Sequence, residues 1–61
     1  MIIKKYYGDD DCVVMELTNL AMLETSTMLI GTVLESDKDG IFELGDEIAV
    51  LMSDSVEVLE P

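Results

Sequence analysis

Short apolar runs broken by glycine and acidic turns, at intervals of roughly ten residues, leave this chain few ways to fold. Ile2 to Tyr7 is β-branched and aromatic, and Gly8, Asp9, Asp10 and Asp11 interrupt it. From Cys12 to Thr18 the apolar Val13, Met15 and Leu17 alternate with Glu16 and Thr18, the period-two pattern of a half-buried strand. Met28 to Leu34 is almost wholly apolar and reads as a central strand, with Gly31 marking a bulge or a sharp bend. Ile41 to Leu44, Ile48 to Met52 and Val56 to Glu60 supply three more runs, with Val56 and Val58 sharing a face. Gly45 and Asp46, then Ser53, Asp54 and Ser55, separate them, and Pro61 ends pairing.

The pattern predicts an all-β fold of five or six short antiparallel strands, as a small barrel of SH3-like or OB-like type or as a strongly bent sheet. In 61 residues, closure into a small barrel is the economical way to remove the sheet edges that invite unwanted pairing. Residues 18–25 are ambiguous. Thr18 or Asn19 is placed to cap a helical turn through Leu20, Ala21, Met22, Leu23 and Glu24, and the fold would then be α+β with one short helix. Residues 1–61 are expected to form a single small domain with a marginal core.

Domains of this size usually carry a staple. One cysteine, Cys12, makes no internal disulfide, and with no histidine a structural zinc site lacks its four ligands. Self-association is the remaining common device. Val13 to Met15, Met28 to Ile30 and Ala49 to Met52 are apolar on both strand faces, and a second copy would cover the outer one, most commonly as a symmetric dimer. Met15, Met22, Met28 and Met52 suit either such a surface or the core.

Fourteen acidic residues face three lysines and no arginine, for a net charge of −11. Hydrophobic residues make up 49% of the chain, which separates it from disordered acidic tails. Phosphate contacts need Lys and Arg, so direct nucleic-acid binding and anionic membrane surfaces are disfavoured. The opening MIIKKYYGDDD lacks the apolar run of a signal peptide, and a cytosolic location is expected. The histidine-based triads are missing, and Cys12 beside three aspartates has a disfavoured thiolate and suits a buried structural role. Neither an enzyme nor a cofactor is expected. Tyr6 and Tyr7 are expected to pack on an edge strand, where Lys4 and Lys5 would deter pairing.

The stretch from Glu35 to Asp46, ESDKDGIFELGD, admits three readings. As a calcium loop it sets Glu35, Asp37 and Asp39 at positions 1, 3 and 5, Gly40 at 6, Glu43 at 9 and Asp46 at 12. The motif wants Asp at the first position, a bidentate Glu at the last and a helix on each side, and this chain departs from all three. As a hairpin connection, Asp37 to Gly40 supplies local side-chain hydrogen bonds and a residue tolerant of positive φ. As a surface, carboxylates two apart in extended chain repeat every ~6.6 Å, the scale of neighbouring phosphates on a nucleic-acid strand.

The surface reading gathers three clusters: Asp9, Asp10 and Asp11; Glu35, Asp37 and Asp39; Glu43, Asp46 and Glu47. Together they suggest a non-enzymatic acidic binding protein that occludes a basic, nucleic-acid-handling surface of a partner protein. In size and charge the chain resembles small phage-encoded inhibitors of host nucleases and defence systems, among them DNA mimics and anti-CRISPR proteins. That resemblance is one of composition along the whole chain, with no motif behind it. The alternatives are a homo-oligomeric structural or assembly subunit and a calcium-binding module through 35–46.

Overall fold

A computed structural model of the chain describes residues 1–8, 11–36 and 42–61. Its strands are β1 (Ile2–Tyr7), β2 (Asp11–Met22), β3 (Thr27–Ser36), β4 (Glu47–Leu51) and β5 (Val56–Glu60). All pair antiparallel in one sheet of order β4-β3-β2-β1-β5. The all-β expectation is met in its bent-sheet form. β4 and β5 are the two edges and share no ladder, so the sheet does not close into a barrel.

Three local expectations are corrected. No helix forms at 18–25, because β2 continues through Met22 and pairs Leu20, Ala21 and Met22 with Leu29, Met28 and Thr27. Cross-strand pairing to an apolar β3 outweighs the weak cap at Thr18 and Asn19. The run Ile41 to Leu44 is not a sixth strand over its described part: Phe42 and Glu43 are irregular, and Leu44 and Gly45 turn. Nor are Lys4 and Lys5 on an edge, since β1 lies between β2 and β5.

Alternation along the strands sorts side chains into two faces. Ile3, Val13, Met15, Leu29, Val33 and Val50 are buried on the inner face, and Ile3, Met15, Leu29 and Val50 form one cluster. Tyr7, Leu17, Ile48 and Val56 pack at its margin. Met15 is thus core filler, whereas Met22 at the end of the β2–β3 hairpin is 83% exposed.

The sheet folds over at Gly31. Leu17 pairs with Gly31 and Asn19 with Ile30, so Thr18 is an extra residue in β2, and its hydroxyl donates to the Ile30 carbonyl at 3.2 Å. Such a bulge bends its strand and increases local twist. At this crossing the backbones approach so closely that a Cβ on Gly31 would run into the Glu16 carbonyl oxygen and lie 2.8 Å from Met15 Cε. Only glycine fits.

A second constraint reinforces the bend. Residues 52–55 alone connect β4 to β5, from one edge of the sheet to the other. A flat five-stranded sheet would separate those edges by ~19 Å, four inter-strand spacings. The connection reaches at most ~18 Å when fully extended, and it is shortened by a turn in which the Val56 amide donates to the Ser53 carbonyl. Lys5 secures this turn from the inner face: its Nζ donates to Ser53 Oγ at 2.9 Å and to Ser55 Oγ at 2.6 Å.

The glycines provide a stability test. Gly31→Ala should destabilise by about 1–3 kcal/mol through overpacking. Gly8 has a φ of +84° with open space around it, so Gly8→Ala meets only the left-handed backbone cost of roughly 1–2 kcal/mol. Thermal melts should show the larger fall for Gly31→Ala; equal falls would mean that β2 and β3 separate there without cost.

Candidate functional site

The register of the sheet assembles an acidic outer face. One row runs across all five strands as Glu60, Ile2, Glu16, Thr32 and Glu47. The next row runs Glu57, Lys4, Val14 and Glu35. Each of these glutamates is exposed. Glu16 projects outward because Met15 and Leu17 on either side turn to the core, and Glu57 does so because Val56 faces inward. Carboxylates in the first row lie ~10 Å apart across one intervening strand, and Glu57 and Glu35 in the second lie ~14 Å apart across two. Glu16 and Glu35, diagonal neighbours, are separated by roughly 7–8 Å at their backbones.

Among the described side chains Lys4 is the cation on this face. Its Nζ sits 5.2 Å from the centre of the Tyr6 ring, and the Tyr6 hydroxyl donates to Glu57 Oε1 at 3.3 Å. Lys4 keeps its proton above the ordinary lysine range, chiefly through the negative charge available on Cys12 and then on Tyr6. Lys5, on the other face, is engaged with the β4–β5 turn and is 5.7 Å from the Tyr7 ring centre.

The residues nominated from sequence are distributed unevenly. Glu35 and Glu47 belong to the outer-face rows. Asp11 opens β2 opposite Tyr7 and is half-buried. Glu43 and Asp46 are exposed in the connection from β3 to β4, where the Val33 amide donates to the Asp46 carbonyl and the Gly45 amide to the Val33 carbonyl. Asp9, Asp10, Asp37 and Asp39 lie outside the described residues, as does the proposed turn from Asp37 to Gly40. Tyr7 meets Phe42 with ring centres 5.9 Å apart, which holds the far side of that connection against β1.

Glu16, Glu57 and Glu60 lie in strands, outside the acidic turns from which the sequence suggests a surface. Strand alternation marks the first two as outward-facing, but neighbouring strands are needed to bring them together. The calcium reading loses its frame, since β3 leads into 35–46 and β4 follows it where an EF-hand requires helices. Among the described residues no group of three or more His, Cys, Asp or Glu is arranged to hold a metal ion. No helix among them is long and apolar enough to cross a membrane.

The outer face also carries apolar surface. Ile2, Val14, Leu34 and Leu59 line an open groove of about 500 Å³ together with Glu35 and Glu60. A separate apolar region lies at the end of the β2–β3 hairpin, where Leu20, Met22 and Leu23 are exposed, as is Met52 beyond β4. Comparison with protein-family models, with curated proteins and with solved structures finds no match to this chain.

Burial raises the pKa of the Tyr7 phenol above its ordinary value. The folded state therefore holds that proton more tightly than the unfolded chain does. Its contribution is full below the unfolded phenol value of about 10 and is lost as pH rises through the folded one. Melting temperatures measured from pH 8 to 11 should fall less steeply for Tyr7→Phe than for the parent chain.

Proposed function

We propose that this chain is a non-enzymatic acidic binding protein of the cytosol that occludes a basic, nucleic-acid-handling surface of a partner protein. The observation that carries this reading is the sheet register, which collects Glu16, Glu35, Glu47, Glu57 and Glu60 on one face with Lys4 as the opposing charge. A rigid sheet presents these carboxylates without first having to order them, so little entropy is lost on binding. Lysine and arginine side chains that normally take phosphate would pair with them, as in a DNA mimic. The composition supports the same reading, because a charge of −11 steers basic partners from a distance and repels competing nucleic acid. Several small phage-encoded inhibitors of host defence systems, anti-CRISPR proteins among them, resemble this chain in size and charge.

The test is capture from lysate of the natural host on three baits: the parent chain, the outer-face variant E16Q/E35Q/E47Q/E57Q/E60Q, and the turn variant D9N/D10N/D37N/D39N. The parent should retain a basic nucleic-acid-binding protein that salt or added DNA releases, and the outer-face variant should not retain it. Loss with the turn variant alone would transfer the contact to the turns. Retention by both variants would refute occlusion by carboxylates.

A homo-oligomeric subunit is the second reading, favoured by a different part of the molecule. Between Leu17 and Leu34 the sole charged residue is Glu24, so the hairpin end is nearly uncharged in an otherwise strongly acidic chain. Its exposed Leu20, Met22 and Leu23 could meet a second copy where like charges least oppose approach. Sedimentation in high salt should then give a defined oligomer that Met22→Glu dissociates. A concentration-independent monomer would exclude it.

A further inference from the structure

We propose that the outer-face groove is the docking site for a basic amphipathic helix of the partner protein, an inference that rests on the function proposed above and specifies the chemistry it recognises. The groove is built by two irregularities in the sheet. In β3, Val33 pairs with Met15 and Glu35 with Val14, which leaves Leu34 as an extra residue. In β5, Val58 pairs with Ile3 and Glu60 with Ile2, which leaves Leu59 extra. The same dipeptide, Leu-Glu, thus stands at a bulge on each side of a floor made by Ile2 of β1 and Val14 of β2. Leu34 and Leu59 remain 40% and 44% exposed, and Glu35 and Glu60 rim the groove beside them.

The dimensions favour a helix. Counted along the curved sheet, β3 and β5 are three inter-strand spacings apart, ~14 Å of strand surface, against an α-helix diameter of ~10–12 Å with side chains. The floor strands β1 and β2 are each paired on both sides, so they have no free ladder for an extended peptide. A helix satisfies its own backbone and needs from the groove only apolar contact along one stripe. The charges specify the residues flanking that stripe. Glu35 and Glu60 on the walls, with Glu57 farther along β5 and Glu16 beside Ile2 on β2, complement lysine or arginine flanking that stripe, while Lys4, paired with Val14, is among the described side chains the cation to be avoided.

The probe is a 14-residue helical peptide of leucine and lysine, with leucines at i, i+3, i+4 and i+7 and lysines beside them. A scrambled peptide of identical composition is the control. Titrated into the isotopically labelled 61-residue chain, the patterned peptide should move the amide signals of Ile2, Val14, Leu34 and Leu59 and should bind about tenfold more tightly than the scrambled one. Leu34→Ser/Leu59→Ser and Glu35→Gln/Glu60→Gln should each remove most of that preference. Glu24→Gln/Asp54→Asn, which removes the same charge elsewhere, should leave it intact. If the serine pair unfolds the chain, the glutamine pair carries the comparison.

Equal affinity for the two peptides, equal loss from the remote pair, or signals moving only at the hairpin end would overturn the proposal. Dissociation of an oligomer by the serine pair would assign the groove to a second copy, and would also overturn it. The two proposals fail separately. A serine-pair bait that still captures the DNA-displaceable partner leaves occlusion standing and removes the groove. An outer-face variant that captures it undiminished removes the groove, and removes occlusion as well when the turn variant also captures it.

Discussion

Residues 52–55 join strands at opposite edges of a five-stranded sheet, and the rest of the structure accommodates that short connection. A flat sheet would hold the edges farther apart than four linking residues with a turn can reach. The sheet therefore curls, and curling encloses the small cluster of Ile3, Met15, Leu29 and Val50. Lys5 contributes by reaching from the inner face of β1 to the serine hydroxyls of the link. A cation that sequence alone placed on a strand edge thus fastens the turn that makes the fold compact.

Curvature demands places where the pleat can yield, and the register shifts supply them. The bulge at Thr18, opposite Gly31, folds the long β2–β3 hairpin over the core, and glycine permits the close backbone approach. The shifts at Leu34 and Leu59 have another consequence, since each extra leucine is turned outward beside a glutamate. The features that bend this sheet also shape its outer surface. An acidic face with an apolar groove follows from the same geometry that buries the core.

Much of the fold was legible in the chain. The alternation of Val13, Met15 and Leu17 identified β2 and its inward face, the apolar run around Leu29 identified β3, and Gly31 marked the bend. The segment 18–25 was harder, because a possible cap and short apolar residues suit a helical turn as well as a strand. Pairing with β3 decided it, and pairing is a property of two segments. The site was less legible. Acids in turns attract attention because turns are exposed, yet Glu16, Glu57 and Glu60 become a surface only when β1 lies between β2 and β5.

The sequence by itself determined the all-β class, the inward-facing residues of the main strands and the strong negative charge, because these depend on local alternation, turn chemistry and composition. It also determined that phosphate-binding side chains are scarce, with three lysines and no arginine. Tertiary structure decided which carboxylates share a face, where the apolar groove lies and what Lys5 does. Those properties depend on strand order and on register shifts of a single residue. Such shifts arise when strands from distant parts of the chain are pressed together around one core, and no local pattern specifies them.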